Sequence, residues 1–206
     1  AIDSYNKALK LKSNYPQAHY NLGNSLMEQG DLNAAIDSYK TALKLKPNYP
    51  DAHNNLGNAL KEQGDLSAAI DSYKTALKLN PNYPDAHNNL GIALQEHGDL
   101  SAAITSTLKS LELKPDNPTA HINLGGIYKD LGNFEQALAS TLKSLELKPE
   151  ESQTLCKLGL IKMGLGLTEE AKGDLLNSIK YNDQECESYH ALSVMLETTE
   201  EAEKLL

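Results

Sequence analysis

Residues 35–68 read AIDSYKTALKLKPNYPDAHNNLGNALKEQGDLSA, and residues 69–102 repeat them with four changes: Lys46 becomes Asn80, Asn58 becomes Ile92, Lys61 becomes Gln95 and Gln63 becomes His97. Further along, STLKSLELKP starts at Ser106 and again at Ser140, also 34 residues apart. Self-similarity at a fixed period of this size marks a stack of small supersecondary units. Counting from Pro16, Pro50, Pro84, Pro118 and Ser152 gives repeats at 16–49, 50–83, 84–117 and 118–151, and a divergent fifth at 152–185. Residues 1–15 read as the second helix of a truncated repeat and 186–206 as a partial, shortened one, all in one solenoid domain.

Each repeat carries two helical patterns. After Pro50, suited to a first helical turn, apolar or small residues fall at Ala52, His53, Leu56, Gly57 and Leu60, which is one face of a helix. Gly64 stops that helix and Asp65 caps the next. The second stripe runs Leu66, Ala69, Ile70, Tyr73, Ala76, Leu77, Leu79 and closes at Pro81-Asn82-Tyr83-Pro84. Neither helix can bury its face alone, and such short loops force antiparallel neighbours. The expected fold is all-α: an α-solenoid of stacked antiparallel helix pairs with a 34-residue period.

Leu56-Gly57, Gly64, Ala69, Tyr73, Ala76 and Pro81 match in type and spacing the signature of the tetratricopeptide repeat, which the chain resembles over nearly its whole length. More narrowly, Ala52-His53 with Asn55-Leu56, followed by Ala59-Leu60-Lys61, Gly64 and the Ala69–Pro81 segment, is similar to the repeats of O-GlcNAc transferases and their bacterial relatives. The resemblance implies a right-handed α-solenoid, a superhelix whose first helices line an inner, concave wall, and a scaffold that binds segments of other proteins there.

Composition narrows the partners. All 19 basic residues are lysine, and against 28 Asp and Glu they leave a net charge of −9. Such a chain repels phosphate backbones and anionic membranes and lacks the guanidinium fork that grips them, so neither nucleic acid nor membrane is expected. No apolar run approaches the roughly 20 residues of a membrane span. Cys156 and Cys186 are too few for a disulfide framework, and a cytoplasmic setting is the expectation.

The sixth position of the first helix holds Asn21, Asn55, Asn89 and Asn123, then Lys157. Asparagine is a mediocre helix former with two donors and an acceptor, so four in register, off the leucine face, suggest a ladder. Helices about 8–10 Å apart would advance an extended peptide by about three residues per rung. O-GlcNAc transferases, by resemblance, use an inner asparagine ladder in this way. At roughly 0.5–1.5 kcal/mol per hydrogen bond, four rungs supply about 2–6 kcal/mol, which is weak and sequence-tolerant. A second reading stays open: the amides are harmless copies of one residue, or hydrogen-bond to the adjacent repeat. Asn24, Asn58, Asn54 and Asn88 lie close by along the same helices and join the candidate peptide-binding set.

Asp51, Asp85, Glu28, Glu62, Glu96 and Asp130, partly offset by Lys61 and Lys129, would favour neutral or basic segments. Co-chaperones of this family that hold acidic chaperone tails have a lysine one residue before the ladder position. Here that position holds Tyr20, Asn54, Asn88, Ile122 and Cys156, which disfavours that partner class. His19, His53, His87 and His121 recur every 34 residues, too far apart in space to share one zinc, and are expected to pack between helices. No nucleophile elbow, phosphate loop or paired catalytic carboxylates are present, so neither catalysis, a metal nor a cofactor is expected of this chain. The alternative from another class is the substrate-recruiting arm of a larger enzyme such as a glycosyltransferase. Apolar faces on the half-repeats at both ends suggest end-to-end self-association. Residues 152–206, with Thr141 and Thr107 already replacing Tyr73 and Tyr39 upstream and with Lys162 at an apolar position, read as a frayed end of the array or its handover to another domain.

Overall fold

A computed structural model describes residues 1–182, 184 and 187–195. Among them eleven helices follow in order: α1 (Ile2–Leu11), α2 (Pro16–Glu28), α3 (Leu32–Leu45), α4 (Pro50–Gln63), α5 (Leu66–Leu79), α6 (Pro84–His97), α7 (Leu100–Leu113), α8 (Pro118–Asp130), α9 (Phe134–Leu147), α10 (Ser152–Gly164) and α11 (Thr168–Tyr181). Residues 187–195 are also helical. Asp183, Cys186 and residues 196–206, which carry the readings of a shortened last repeat and a second cysteine, lie outside the described residues.

The helix ends follow the sequence signals. Proline occupies the first turn of α2, α4, α6 and α8. Asp31, Asp65 and Asp99 accept from the backbone N–H of Ala34, Ala68 and Ala102 at 3.0–3.1 Å, capping α3, α5 and α7. Gly64 takes φ 91°, the left-handed conformation that lets the chain leave α4 while Gly64 N–H and Asp65 N–H bond back to Lys61 and Leu60 carbonyls.

Contacts divide the chain into two blocks, Ala1–Leu113 and Lys114–Leu206, with the division before the Pro118 helix. Within the N-terminal block, α2–α3, α4–α5 and α6–α7 form hairpins, and the first helices α2, α4 and α6 lie side by side. Within the C-terminal block, α8–α9 and α10–α11 form hairpins, and α8 lies beside α10.

The core of each hairpin is built where a small residue faces a larger one. A Cβ added at Gly57 would lie 2.6 Å from Tyr73 Cε1, so the absence of a side chain there lets the buried tyrosine ring sit flat on α4. Gly23 and Tyr39 repeat the arrangement. At Gly91 and Gly125 the facing residues are Thr107 and Thr141, and at Gly159 it is Leu175. Over its described residues the fifth repeat keeps a packed hairpin core rather than a frayed one. Leu175 packs against Gly159, and Cys156, Ala171, Leu175, Ala191 and Met195 form a buried apolar cluster.

Candidate functional site

On α2, α4 and α6 the sixth-position asparagines Asn21, Asn55 and Asn89 are half-buried and hydrogen-bonded to neighbouring side chains. Asn55 Nδ2 donates to Tyr20 Oη at 3.1 Å and to Asn24 Oδ1 at 2.9 Å, both in the preceding repeat. Asn89 Nδ2 donates to Asn54 Oδ1 at 3.1 Å, again one repeat back. Asn54 Nδ2 in turn donates to Asn55 Oδ1 at 3.1 Å. A rule emerges: the sixth-position amide donates to the fifth-position side chain of the repeat before it. These are the inter-repeat bonds that the second sequence reading requires of Asn55 and Asn89. Asn21 Oδ1 accepts from Gln17 Nε2 at 3.1 Å. Asn123, in the C-terminal block, is likewise half-buried.

The other four candidate residues separate into two kinds. Asn24 and Asn58 are half-buried, and their Oδ1 atoms accept from Tyr39 Oη at 2.8 Å and Tyr73 Oη at 2.7 Å. Asn54 and Asn88 are buried, at 4% and 6% exposure. This corrects their expected place: a side chain so enclosed meets its neighbours first, and Asn54 has its carbonyl and one N–H engaged by the flanking ladder amides.

Three tyrosines that the sequence reading did not single out complete the face. Tyr20 and Tyr49 rings lie 5.0 Å apart, Tyr20 and Tyr39 6.1 Å, and Tyr49 Oη donates to Gln17 Oε1 at 2.7 Å. Burial, then the Asp51 carboxylate beside it, holds the Tyr83 phenol well above the usual range, and burial followed by Glu96 and Glu62 does the same for Tyr73. Both phenols therefore remain neutral hydrogen-bonding groups at physiological pH. The signal was present in the sequence: Tyr39 with Asn24 and Tyr73 with Asn58 share a spacing of 15, and where threonine replaces tyrosine the partner changes too, to Ile92 and Gly126.

Glu28, Asp51, Glu62, Asp85 and Glu96 are exposed on this block's first helices, and Lys61 ties neighbouring helices through Glu96 at 3.5 Å. In the C-terminal block Lys157 occupies the ladder position, half-buried. Burial pushes its ammonium below the usual lysine range and Lys129 adds to that, while Glu187 and Asp130 pull the other way. Lys162, expected to be out of place, is 14% exposed at its side chain and bridges Asp174 at 2.8 Å and Glu170 at 3.1 Å.

The histidines depart from their expected role as rings packed between helices. His19, His53, His87 and His121 are half-buried, and each Nε2 lies 2.9–3.0 Å from the carbonyl oxygen six residues earlier, that of Ser13, Pro47, Pro81 or Pro115. They fasten the loop that enters each first helix. Cys156 is buried at 1% exposure, inside the apolar cluster of its block. No helix among the described residues is long and apolar enough to cross a membrane.

A family model described as TPR repeat matches residues 1–30, 23–64 and 57–98, and one described as Tetratricopeptide repeat matches 84–117 and 118–151. Among solved structures, the chain is similar to MamA at 25% identity and a TM-score of 0.70, over 83% of this chain and 93% of that one. It is similar to YrrB, described as a TPR protein with an unusual peptide-binding site, at 21% identity and 0.70, over 94% of this chain and all of that one. A third likeness is to the Cut9-Hcn1 complex of the APC/C, at 20% identity and 0.85, over 95% of this chain and 39% of that one. No curated protein matches the sequence.

Proposed function

The chain belongs to the tetratricopeptide repeat family, and from that premise we propose that it is a non-catalytic scaffold holding extended polypeptide on the first-helix face of its N-terminal block. The observation that carries this is the valence left on that face. A side-chain amide has two N–H groups and a carbonyl with two lone pairs. The bond to Asn54 uses one N–H of Asn89, Asn21 and Asn58 accept through their carbonyls from Gln17 and Tyr73, and the bond from Asn54 fills one of the two lone pairs of the Asn55 carbonyl. Donors from Asn21, Asn58 and Asn89 and an acceptor at Asn55 suit a peptide backbone, which alternates the two, without regard to side chains. The surrounding carboxylates Glu28, Asp51, Glu62, Asp85 and Glu96 favour neutral or lysine-bearing segments. Asn123 holds the same helix position in the C-terminal block.

The inter-repeat bonds do not compete with this function; they orient the amides. Polar groups held by neighbours lose less freedom on binding than loose ones. The recruiting-arm reading needs the same face and stands or falls with it. The test is titration of a Ser/Thr-rich, lysine-bearing peptide of about nine residues, about three per first helix, followed by fluorescence anisotropy. Micromolar to millimolar affinity is expected, weakened about 5-fold or more in Asn58→Ala/Asn89→Ala. Equal affinity in the double variant rejects the ladder.

A further inference from the structure

We infer that Asn54 is a positioning residue that couples neighbouring rungs of the face, so that Asn55 and Asn89 engage a peptide as a pair. This deepens, and rests on, the peptide-binding reading above. The geometry points to it in three ways. Asn54 is 4% exposed, so it is poorly placed to be a rung itself. Both ends of its amide are engaged by rungs of different repeats: Nδ2 donates to Asn55 Oδ1 and Oδ1 accepts from Asn89 Nδ2, each at 3.1 Å. Its position in the repeat before is Tyr20, a group that also accepts from the following sixth-position amide.

An amide that can rotate presents its oxygen or its nitrogen to a ligand with similar ease. Donation from Asn54 fixes which end of Asn55 is the oxygen, and therefore sends both Asn55 N–H groups toward Tyr20 and Asn24. Acceptance by Asn54 fixes which N–H of Asn89 points back into the array. A half-turn of the Asn54 amide would place N–H against N–H at Asn89 and oxygen against oxygen at Asn55. The three amides therefore share one orientation or lose two hydrogen bonds together, and hydrogen bonds linked in this way strengthen one another. A peptide carbonyl drawn to Asn89 stabilises the orientation that a peptide N–H meets at Asn55. The carboxamide circuit through Asn54 links the second repeat to the third, whereas at the same position one repeat earlier Asn55 meets the hydroxyl of Tyr20.

The experiment is a double-mutant cycle on the whole chain, with the nine-residue peptide as probe. Asn55→Ala and Asn89→Ala are measured singly and together, with Asn54 intact and as Asn54→Ala. With Asn54 intact, the combined loss of affinity is expected to depart from the product of the single losses by at least about twofold. In the Asn54→Ala background the losses are expected to multiply. A purely structural role for Asn54 would move the unfolding midpoint without altering that multiplicativity. Single losses that multiply equally in both backgrounds overturn the coupling and leave peptide binding standing, whereas no loss from either Asn55→Ala or Asn89→Ala overturns both. Should Asn54→Ala not fold, side-chain amide resonances of the unaltered protein decide. The Asn55 and Asn89 Nδ2 protons are expected to exchange slowly with water and to shift at the same peptide concentration; fast exchange, or independent shifts, overturns the inference.

Discussion

Hairpins α4–α5 and α8–α9 are copies of one design that hold together differently. In the first, a whole tyrosine ring fills the space over Gly57, and its hydroxyl crosses to Asn58 at 2.7 Å. In the second, Thr141 lies buried over Gly125, its hydroxyl without a hydrogen-bond partner, and Gly126 stands where Asn58 stood. The second hairpin recovers polar contacts elsewhere: Ser144 Oγ donates to the Pro118 carbonyl at 2.9 Å, and in the next hairpin Ser178 and Ser152 bond reciprocally. The lesson is that losing one ring changes two surfaces. The tyrosine joins the hairpin core to the amides of the first helix, and its replacement by threonine uncouples them.

The comparison breaks most visibly at the ring. Tyr73→Ala is expected to lower stability by about 3–5 kcal/mol through the cavity it leaves, whereas Thr141→Ala should cost under about 1 kcal/mol because its hydroxyl already lacks a partner. Equal shifts in chemical denaturation midpoint would show that the two hairpins do not differ as described. Overpacking tests the same interface from the other side: Gly57→Ala drives a methyl into Tyr73 and should destabilise by about 1–3 kcal/mol. A similar loss is expected from Lys162→Ala, about 1.5–3 kcal/mol, since Asp174 then keeps a largely enclosed carboxylate without its cation; a thermal melt reads it.

Alkaline titration sharpens the contrast. Tyr73 holds its proton more tightly folded than unfolded, so its contribution is complete below the ordinary phenol value near pH 10 and is lost as pH climbs beyond it. Lys162 has the same sign: burial would depress it, but its bonds to Asp174 and Glu170 prevail and raise it. Stability should therefore fall above about pH 10, and Tyr73→Phe should flatten that fall by up to about 1.4 kcal/mol per pH unit. An unchanged slope in the variant excludes Tyr73 as a source. The smallest effect is a gain: Thr141→Val replaces an unpartnered hydroxyl with a methyl and should stabilise by about 1 kcal/mol.

Much of this was legible in the chain before any coordinates. A period of 34, proline at the head of α2, α4, α6 and α8, aspartate before α3, α5 and α7 and glycine after each of the first helices α2, α4, α6, α8 and α10 determine where helices begin, stop and turn, because capping and left-handed backbone are local properties. The close approach at Gly57 followed from the same periodicity. Lys162 shows the limit: in sequence it was a charge on an apolar stripe, and only folding brings Asp174 from the next helix to within 2.8 Å. The histidines show it again, since a contact with a carbonyl six residues away depends on how the loop folds back onto the helix.

The sequence by itself determined that the chain is a stack of helical hairpins and which asparagines share one register, because both depend on spacing alone. Only the tertiary structure decided what those amides do to one another. Asn54 and Asn89 are 35 residues apart along the chain and meet at 3.1 Å, and whether such a pair faces a ligand or each other is settled by the distance and tilt between helices, which no local pattern encodes.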